Sequence, residues 1–162
     1  MAAQKKIANH CAHDEMQPLA SLTPHPRNPN KHTAAQVKLL AKIIAGQGWR
    51  APVVVSKRTG YIVAGHARRE AALLLGLDSV PVNVQPFKNE AEEHAHLIAD
   101  NRIAELATID TASLKDLLLE LDTGALDMDL TGYDADALAG LMEELDGPEA
   151  KTIECPECGH KF

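Results

Sequence analysis

The stretch Tyr61 to Gly76, YIVAGHARREAALLLG, constrains the fold most, because it asks for a strand, a glycine turn and a helix in direct succession. Tyr61 to Ala64 is short, apolar and β-prone. Gly65 has no Cβ and lets the chain turn sharply. From Ala67 a helical pattern runs with Ala71, Leu74 and Leu75 on one side, and Gly76 follows as its C-cap. A helix that opens straight after a strand aims free N–H groups and the positive end of its dipole at the turn, which suits an anion. His66 lies in that turn, and Arg68 and Arg69 lie in the first helical turn, where cations oppose the dipole unless an anion relieves them. Phosphate is the expected ligand. The alternative is an ordinary connection with two solvated arginines.

Residues 1–16 read as a loose tail, and Pro18 to Leu22 as a short strand. TPHPRNPNKH, Thr23 to His32, holds three prolines and two asparagines and admits no helix or central strand. It is expected to be a shaped loop carrying Arg27, Asn28, Asn30 and Lys31. Thr33 caps a helix with the stripe Val37, Leu40, Ile43 and Ile44, ended by Gly46 and Gly48. Trp49-Arg50-Ala51-Pro52 leads into a strand at Val53–Ser56, and a turn over 57–60 makes a hairpin with the Tyr61 strand. Ser79 to Val84 alternates like a strand, and Pro81 points to an edge position or a strand start.

Asn89 caps the next helix, with Glu92 as its capping-box partner. The helix runs to about Leu106, with Leu97, Ile98, Ile103 and Leu106 expected to face a core. Asp100, Asn101 and Arg102 interrupt it with consecutive polar groups. Asp110 caps a further helix with the stripe Leu114, Leu117, Leu118 and Leu121. A last helix is expected over 134–145, with Leu138, Leu141, Met142 and Leu145 on one face.

Charge divides the chain. The net −7 combines +4 over residues 1–109 (13 Lys+Arg against 9 Asp+Glu) with −11 over residues 110–150 (1 against 12). A chain that grips duplex DNA by phosphate contacts alone would be more basic. No apolar run reaches membrane-spanning length, no secretory h-region is visible, and a cytoplasmic protein without membrane partners is expected. The three cysteines are Cys11, Cys155 and Cys158. An odd count with a Cys-x-x-Cys pair points to a reducing compartment and a metal. In Cys155-Pro156-Glu157-Cys158-Gly159-His160 two thiolates can reach one Zn²⁺, with His160 as a third ligand. A fourth is left open among Cys11, His10, His13 and a second copy of the chain. An oxidisable thiol pair is the alternative.

Four motifs, in this order, carry a resemblance: PHPRNPN, IAGQGWRAPVVV, GHARREAALLLG and ADNR. Together they resemble the N-terminal nucleotide-binding domain of ParB-like proteins, in the ParB/sulfiredoxin superfamily, over about Pro18 to Leu106. The long form LIADNRIAEL, followed by acidic helices, is more similar to the ParB-type domains of phages, plasmids and DNA methyltransferases. The resemblance implies an α+β fold, a small mixed β-sheet flanked by helices, and a bound nucleoside triphosphate with Mg²⁺, CTP or ATP. Gly65 and Arg68 would cradle phosphates, with His66 and Arg69 beside them. Gly48 and Pro52 would shape the pocket, Asp100 and Asn101 would hold Mg²⁺, and Arg102 would steady the triphosphate. His66 and Ala67 replace the family's Glu and Arg, Asn30 replaces an Arg, Asn28 replaces a Gln, and Asp100 replaces a Glu. These departures favour binding over hydrolysis. His66 stands where sulfiredoxin has its cysteine, which excludes sulfiredoxin chemistry.

The implied organisation is a flexible tail over 1–16, a ParB-like nucleotide-binding domain over 17–109, an acidic helical extension over 110–147 and a zinc-knuckle tail over 148–162. The leading function is a nucleotide-binding module of a DNA maintenance, partition or DNA-modification system, acting through a protein partner or a homodimer. The alternatives are a metal-dependent nuclease or small-molecule kinase at the same site, and a structural adaptor with an empty pocket. Direct DNA contact and slow nucleotide hydrolysis stay open.

Overall fold

The computed structural model describes residues 7–133 and 135–145. Cys155, Cys158 and His160, expected to bind zinc, lie outside the described residues. The chain divides into two units, one reaching to Thr108 and including Asp129–Gly132, the other made of Ile109–Met128 and the chain from Tyr133 onward. Among the described residues no helix is long and apolar enough to cross a membrane.

The first unit is α+β, a five-stranded mixed sheet with three helices. Its strands are β1 (Glu15–Pro18), β2 (Thr23–Pro24), β3 (Val53–Ser56), β4 (Tyr61–Ala64) and β5 (Ser79–Gln85), in the spatial order β1-β5-β3-β4-β2. Its helices are α1 (Ala34–Gln47), α2 (His66–Leu74) and α3 (Glu90–Glu105). The expected hairpin forms between β3 and β4, which pair antiparallel. Gly60 closes the turn at φ 75, its N–H donating to Ser56 O at 2.8 Å. The expected caps form as well. Thr33 accepts from Gln36 N and Asn89 accepts from Glu92 N. Gly76, at φ 67, ends α2 with bonds from Gly76 N to Leu73 O and from Leu77 N to Ala72 O, the two bonds of a Schellman closure.

Several expectations need correction. The strand near the N-terminus lies at Glu15–Pro18, and Leu19–Ser21 is a short 3-10 turn rather than part of it. Residues 9–16 dock on the first unit instead of trailing. Asp14 N donates to Val82 O, and Asn9 bridges Trp49. Gly46 lies inside α1, where a Cβ would collide with the Leu130 side chain. Pro81 sits in an interior strand. It needs no donor there, for two reasons. Leu19 N donates to Asp78 O, so the alternating antiparallel ladder puts the Met16–Pro81 pair at a non-hydrogen-bonded position. On the other side, pairing with β3 begins only at Val82.

The core lies between the sheet and the packed pair α1 and α2, with Ile44, Trp49, Val53, Ile62, Ala71 and Val82 among its members. Leu74, expected on the buried side of α2, is 56% exposed, and Ala72 is buried instead. Ile62 joins this core, whereas its buried neighbour Val63 does not. Adjacent strand residues point to opposite faces, and α3, which packs on β4, covers the second one. Only part of the expected α3 stripe is buried: Leu97 is, but Ile98, Ile103 and Leu106 are exposed. Glu93, one turn before Leu97 on the same face, is fully buried.

The second unit holds α4 (Thr111–Leu121) and α5 (Ala135–Leu145), which pack on each other. Asp110 caps α4 by accepting from Ser113 N. Leu118 is buried, while Leu117 is 54% exposed, so the expected stripe is narrower than its sequence spacing.

Candidate functional site

β4 ends in Ala64, and the next residue turns the chain into α2. Gly65 adopts the left-handed conformation at φ 88, ψ 29. The turn therefore needs glycine, and a Cβ there, 2.9 Å from Arg68 Nη1, would push the guanidinium aside. No side chain caps α2. The first-turn N–H groups therefore face a cleft of about 200 Å³.

This cleft is lined from four segments. The β4–α2 turn gives Ala64, Gly65, His66, Ala67 and Arg68. The proline-rich loop gives Asn28, Asn30 and His32, and α1 adds Leu40 beside them. The end of α3 gives Asp100 and Asn101. Five of the predicted site residues thus come together: Gly65, His66, Arg68, Asp100 and Asn101. The others lie elsewhere. The Pro52 carbonyl accepts from Arg68 Nη1 at 3.0 Å and so anchors the guanidinium from behind. Arg69 donates Nε to Leu22 O at 2.9 Å. Arg102 is exposed and pairs with Glu105 at 2.8 Å. Gly48 ends α1 at φ 77, where a Cβ would lie 2.6 Å from Ala8 O.

The electrostatics favour an anion. Asp100 is the one carboxylate among the lining residues. Burial pushes the Arg68 guanidinium below its ordinary pKa, with Asp100 opposing that shift. Burial, reinforced by His32, His25 and Arg69, pushes His66 down to about 4, with Asp100 opposing. His66 is therefore a neutral imidazole. Its Nε2 accepts the backbone N–H of His25 at 3.3 Å.

Asn101 gives its side-chain N–H to Leu97 O at 3.1 Å, and its Oδ1 takes no hydrogen bond from the described residues. With the Asp100 carboxylate it offers oxygen donors of the kind Mg²⁺ takes when phosphates supply the rest of the shell. Among the described residues no group of three or more His, Cys, Asp or Glu converges to hold a metal. His10, Cys11 and His13 do not converge either. Cys11 Sγ donates to Asn9 Oδ1 at 3.2 Å, and His13 Nδ1 lies 3.1 Å from Cys11 O.

A second polar cluster adjoins the cleft and escaped the sequence reading. Buried Glu93 accepts from Ser56 Oγ at 2.7 Å, Thr59 Oγ1 at 2.7 Å and Arg58 Nε at 3.0 Å. His25 Nε2 stands 3.5 Å from Glu93 Oε1, the oxygen that accepts from Thr59. Burial alone would raise the Glu93 pKa, but the hydrogen bonds from Thr59, Ser56 and Arg58 outweigh it and hold the carboxyl below its ordinary value. His25 also shapes the loop locally. Its Nδ1 accepts from Arg27 N at 3.1 Å and its carbonyl from Asn28 N at 3.1 Å. One signal in the sequence pointed to Glu93: its four-residue spacing from Leu97.

The sequence matches the model of the ParB N-terminal domain over residues 2–102. It is 43% identical over 68 residues to the ParB-like nuclease domain-containing protein YnaK of Escherichia coli, covering 42% of this chain and 77% of YnaK. It is 35% identical over 107 residues to the chromosome-partitioning protein Spo0J of Thermus thermophilus, covering 64% of this chain but only 40% of Spo0J. The fold is similar to the crystal structure of C-terminally truncated ParB from Caulobacter crescentus complexed with CTP-gamma-S. The TM-score is 0.67 at 21% identity, over 83% of this chain and 79% of that one.

Proposed function

The chain belongs to the ParB N-terminal domain family, and from that membership we propose that residues 17–109 are a nucleotide-binding module that takes CTP or ATP with Mg²⁺. The observation that carries this reading is the cleft itself, where the uncapped N-terminus of α2 and Arg68 face Asp100 and Asn101. Arg68 gives one of its five N–H donors to Pro52 O, and the remaining donors are available to phosphate oxygens. The helix N-terminus adds backbone donors to the same anion. Asp100 and the Asn101 carbonyl oxygen would hold Mg²⁺, which screens the triphosphate charge when bound. The Caulobacter ParB bound to a CTP analogue supports CTP as the first ligand to test.

A two-metal nuclease needs several carboxylates at its centre. Asp100 stands alone in the lining, which favours binding over nuclease chemistry. We place the module in a DNA maintenance, partition or modification system of phage or plasmid type, with the acidic helices α4 and α5 serving a protein partner or self-association. The Cys155, Cys158 and His160 motif is proposed to hold Zn²⁺ on sequence grounds alone. Elemental analysis of protein purified without chelator should find bound zinc, and less than about a tenth of an equivalent refutes it.

Calorimetric titration with CTP and with ATP, with and without Mg²⁺, tests the main reading. Charge-assisted contacts of about 1.5–3 kcal/mol imply that Arg68→Ala weakens binding about ten- to a hundredfold. Asp100→Ala should remove the Mg²⁺-dependent gain and leave the metal-free affinity similar. If the wild type binds no nucleotide at millimolar concentration, or Arg68→Ala binds equally well, the fold serves as an adaptor with an empty pocket.

A further inference from the structure

We propose that His66 is a neutral hydrogen-bond donor to a phosphate oxygen of the bound nucleotide, locked in its Nδ1–H tautomer by the proline-rich loop. This inference rests on the nucleotide reading of the cleft and adds a specific donor to it. A neutral imidazole carries one donor and one acceptor nitrogen. His66 Nε2 accepts the His25 backbone N–H, so the proton resides on Nδ1. No described residue accepts from that Nδ1, and His66 lines the cleft beside Arg68.

The lock is built from outside the cleft. Thr23 and Pro24 are fixed by pairing with β4, immediately before His25. The His25 ring accepts from Arg27 N through Nδ1, which leaves its Nε2–H facing buried Glu93. Glu93 is held in turn by Ser56, Arg58 and Thr59. The His25 N–H therefore cannot turn away from His66. Adding a proton to His66 Nε2 would set one N–H against another.

The charged and titratable groups around His66 act the same way. His25 and His32 approach from the loop and Arg69 from α2 itself, and all three disfavour an imidazolium. Asp100 from α3 alone favours one. His25 has its own neighbours, Glu93 and His94 from α3 and Arg27 from the loop, and burial, then His94, push its pKa down against the pull of Glu93. His66 thus reads phosphate as a dipole, and nucleotide binding should take up no proton at this residue.

Two measurements on the full chain test the proposal. The first is ¹⁵N-resolved NMR of the histidine rings, with the His66 signal assigned by its loss in His66→Asn. The ligand-free protein should show the Nδ1–H tautomer, unchanged from about pH 6 to pH 8. The second is calorimetry with CTP and Mg²⁺. His66→Ala should bind about tenfold more weakly. His66→Asn, whose amide N–H overlays the Nδ1 donor, should recover most of that loss. His66→Gln, which overlays the Nε2 position, should not. An Nε2–H or cationic His66 near pH 6.5 overturns the proposal. So does a folded His66→Asn that binds as weakly as His66→Ala. If the wild type binds no nucleotide, the nucleotide reading fails and the donor role with it, while the tautomer is still decided in the ligand-free spectrum.

Discussion

The two polar clusters that meet at His25 are opposites. Around Glu93 the buried carboxylate is met by Ser56, Thr59, Arg58 and His25, and the cluster is closed. Around Gly65 the first-turn N–H groups of α2 stand uncapped beside Arg68, and the cluster is open. Burying a charge is tolerable only when its partners are present. The closed cluster therefore serves stability, and the open one keeps its donors for a ligand. His25 joins them, with its ring on the closed side and its backbone N–H on the open side.

The sharpest way to break this comparison is to empty the closed cluster. Glu93→Ala strands the Ser56, Thr59 and Arg58 donors, Arg58 being partly exposed. It should cost about 2–4 kcal/mol, measured by urea unfolding. Arg68→Ala, in the open cluster, should cost less than about 1 kcal/mol by the same measurement. Equal losses at the two positions would refute the division.

Acid should also separate them. His66 has a folded pKa of about 4, below its ordinary 6.5. The unfolded chain then binds the extra proton first, so stability falls as the pH drops from about 6.5 toward 4. The shift corresponds at most to about 3 kcal/mol, and solvent screening at this partly exposed ring lowers it further. His25, also lowered, acts in the same direction. Glu93 behaves differently, because its folded pKa is depressed: its contribution is present above the unfolded value and is lost only as the pH falls through the folded one. Thermal unfolding of wild type and His66→Asn across pH 4–7 should show a shallower slope in the variant. Parallel slopes would show that His66 is not the group responsible.

A smaller change in stability than at Glu93 or His66 is expected at Gly65. Gly65→Ala must hold a side chain at φ 88. It should lose about 1–2 kcal/mol. Because the new Cβ displaces the Arg68 guanidinium from above the turn, nucleotide affinity should fall more than this stability loss suggests. Chemical unfolding and calorimetry on the same preparation compare the two effects. An alanine variant that binds as tightly as wild type would remove Gly65 from the site.

Local physics was legible in the sequence. The strand, glycine and helix over Tyr61–Gly76 depend on neighbours a few residues apart, as do the Thr33, Asn89 and Asp110 caps and the β3–β4 hairpin. The four ordered motifs also pointed to Gly65, His66, Arg68, Asp100 and Asn101, which the fold brings to one cleft. Tertiary structure decided the rest. Helical spacing alone offered Ile98, Ile103 and Leu106 to the core, yet α3 presents Leu97 and Glu93 to the sheet. A carboxylate can take such a place only if partners distant in sequence are brought to it, and here Ser56 lies 37 residues away. Pro81 in an interior strand is the same lesson for the backbone. Its missing donor falls where neither neighbour needs one, and only the register of two pairings sets that. Short-range rules determine which elements form. Which buried groups are satisfied, and which are left for a ligand, depends on contacts that exist only once the chain has folded.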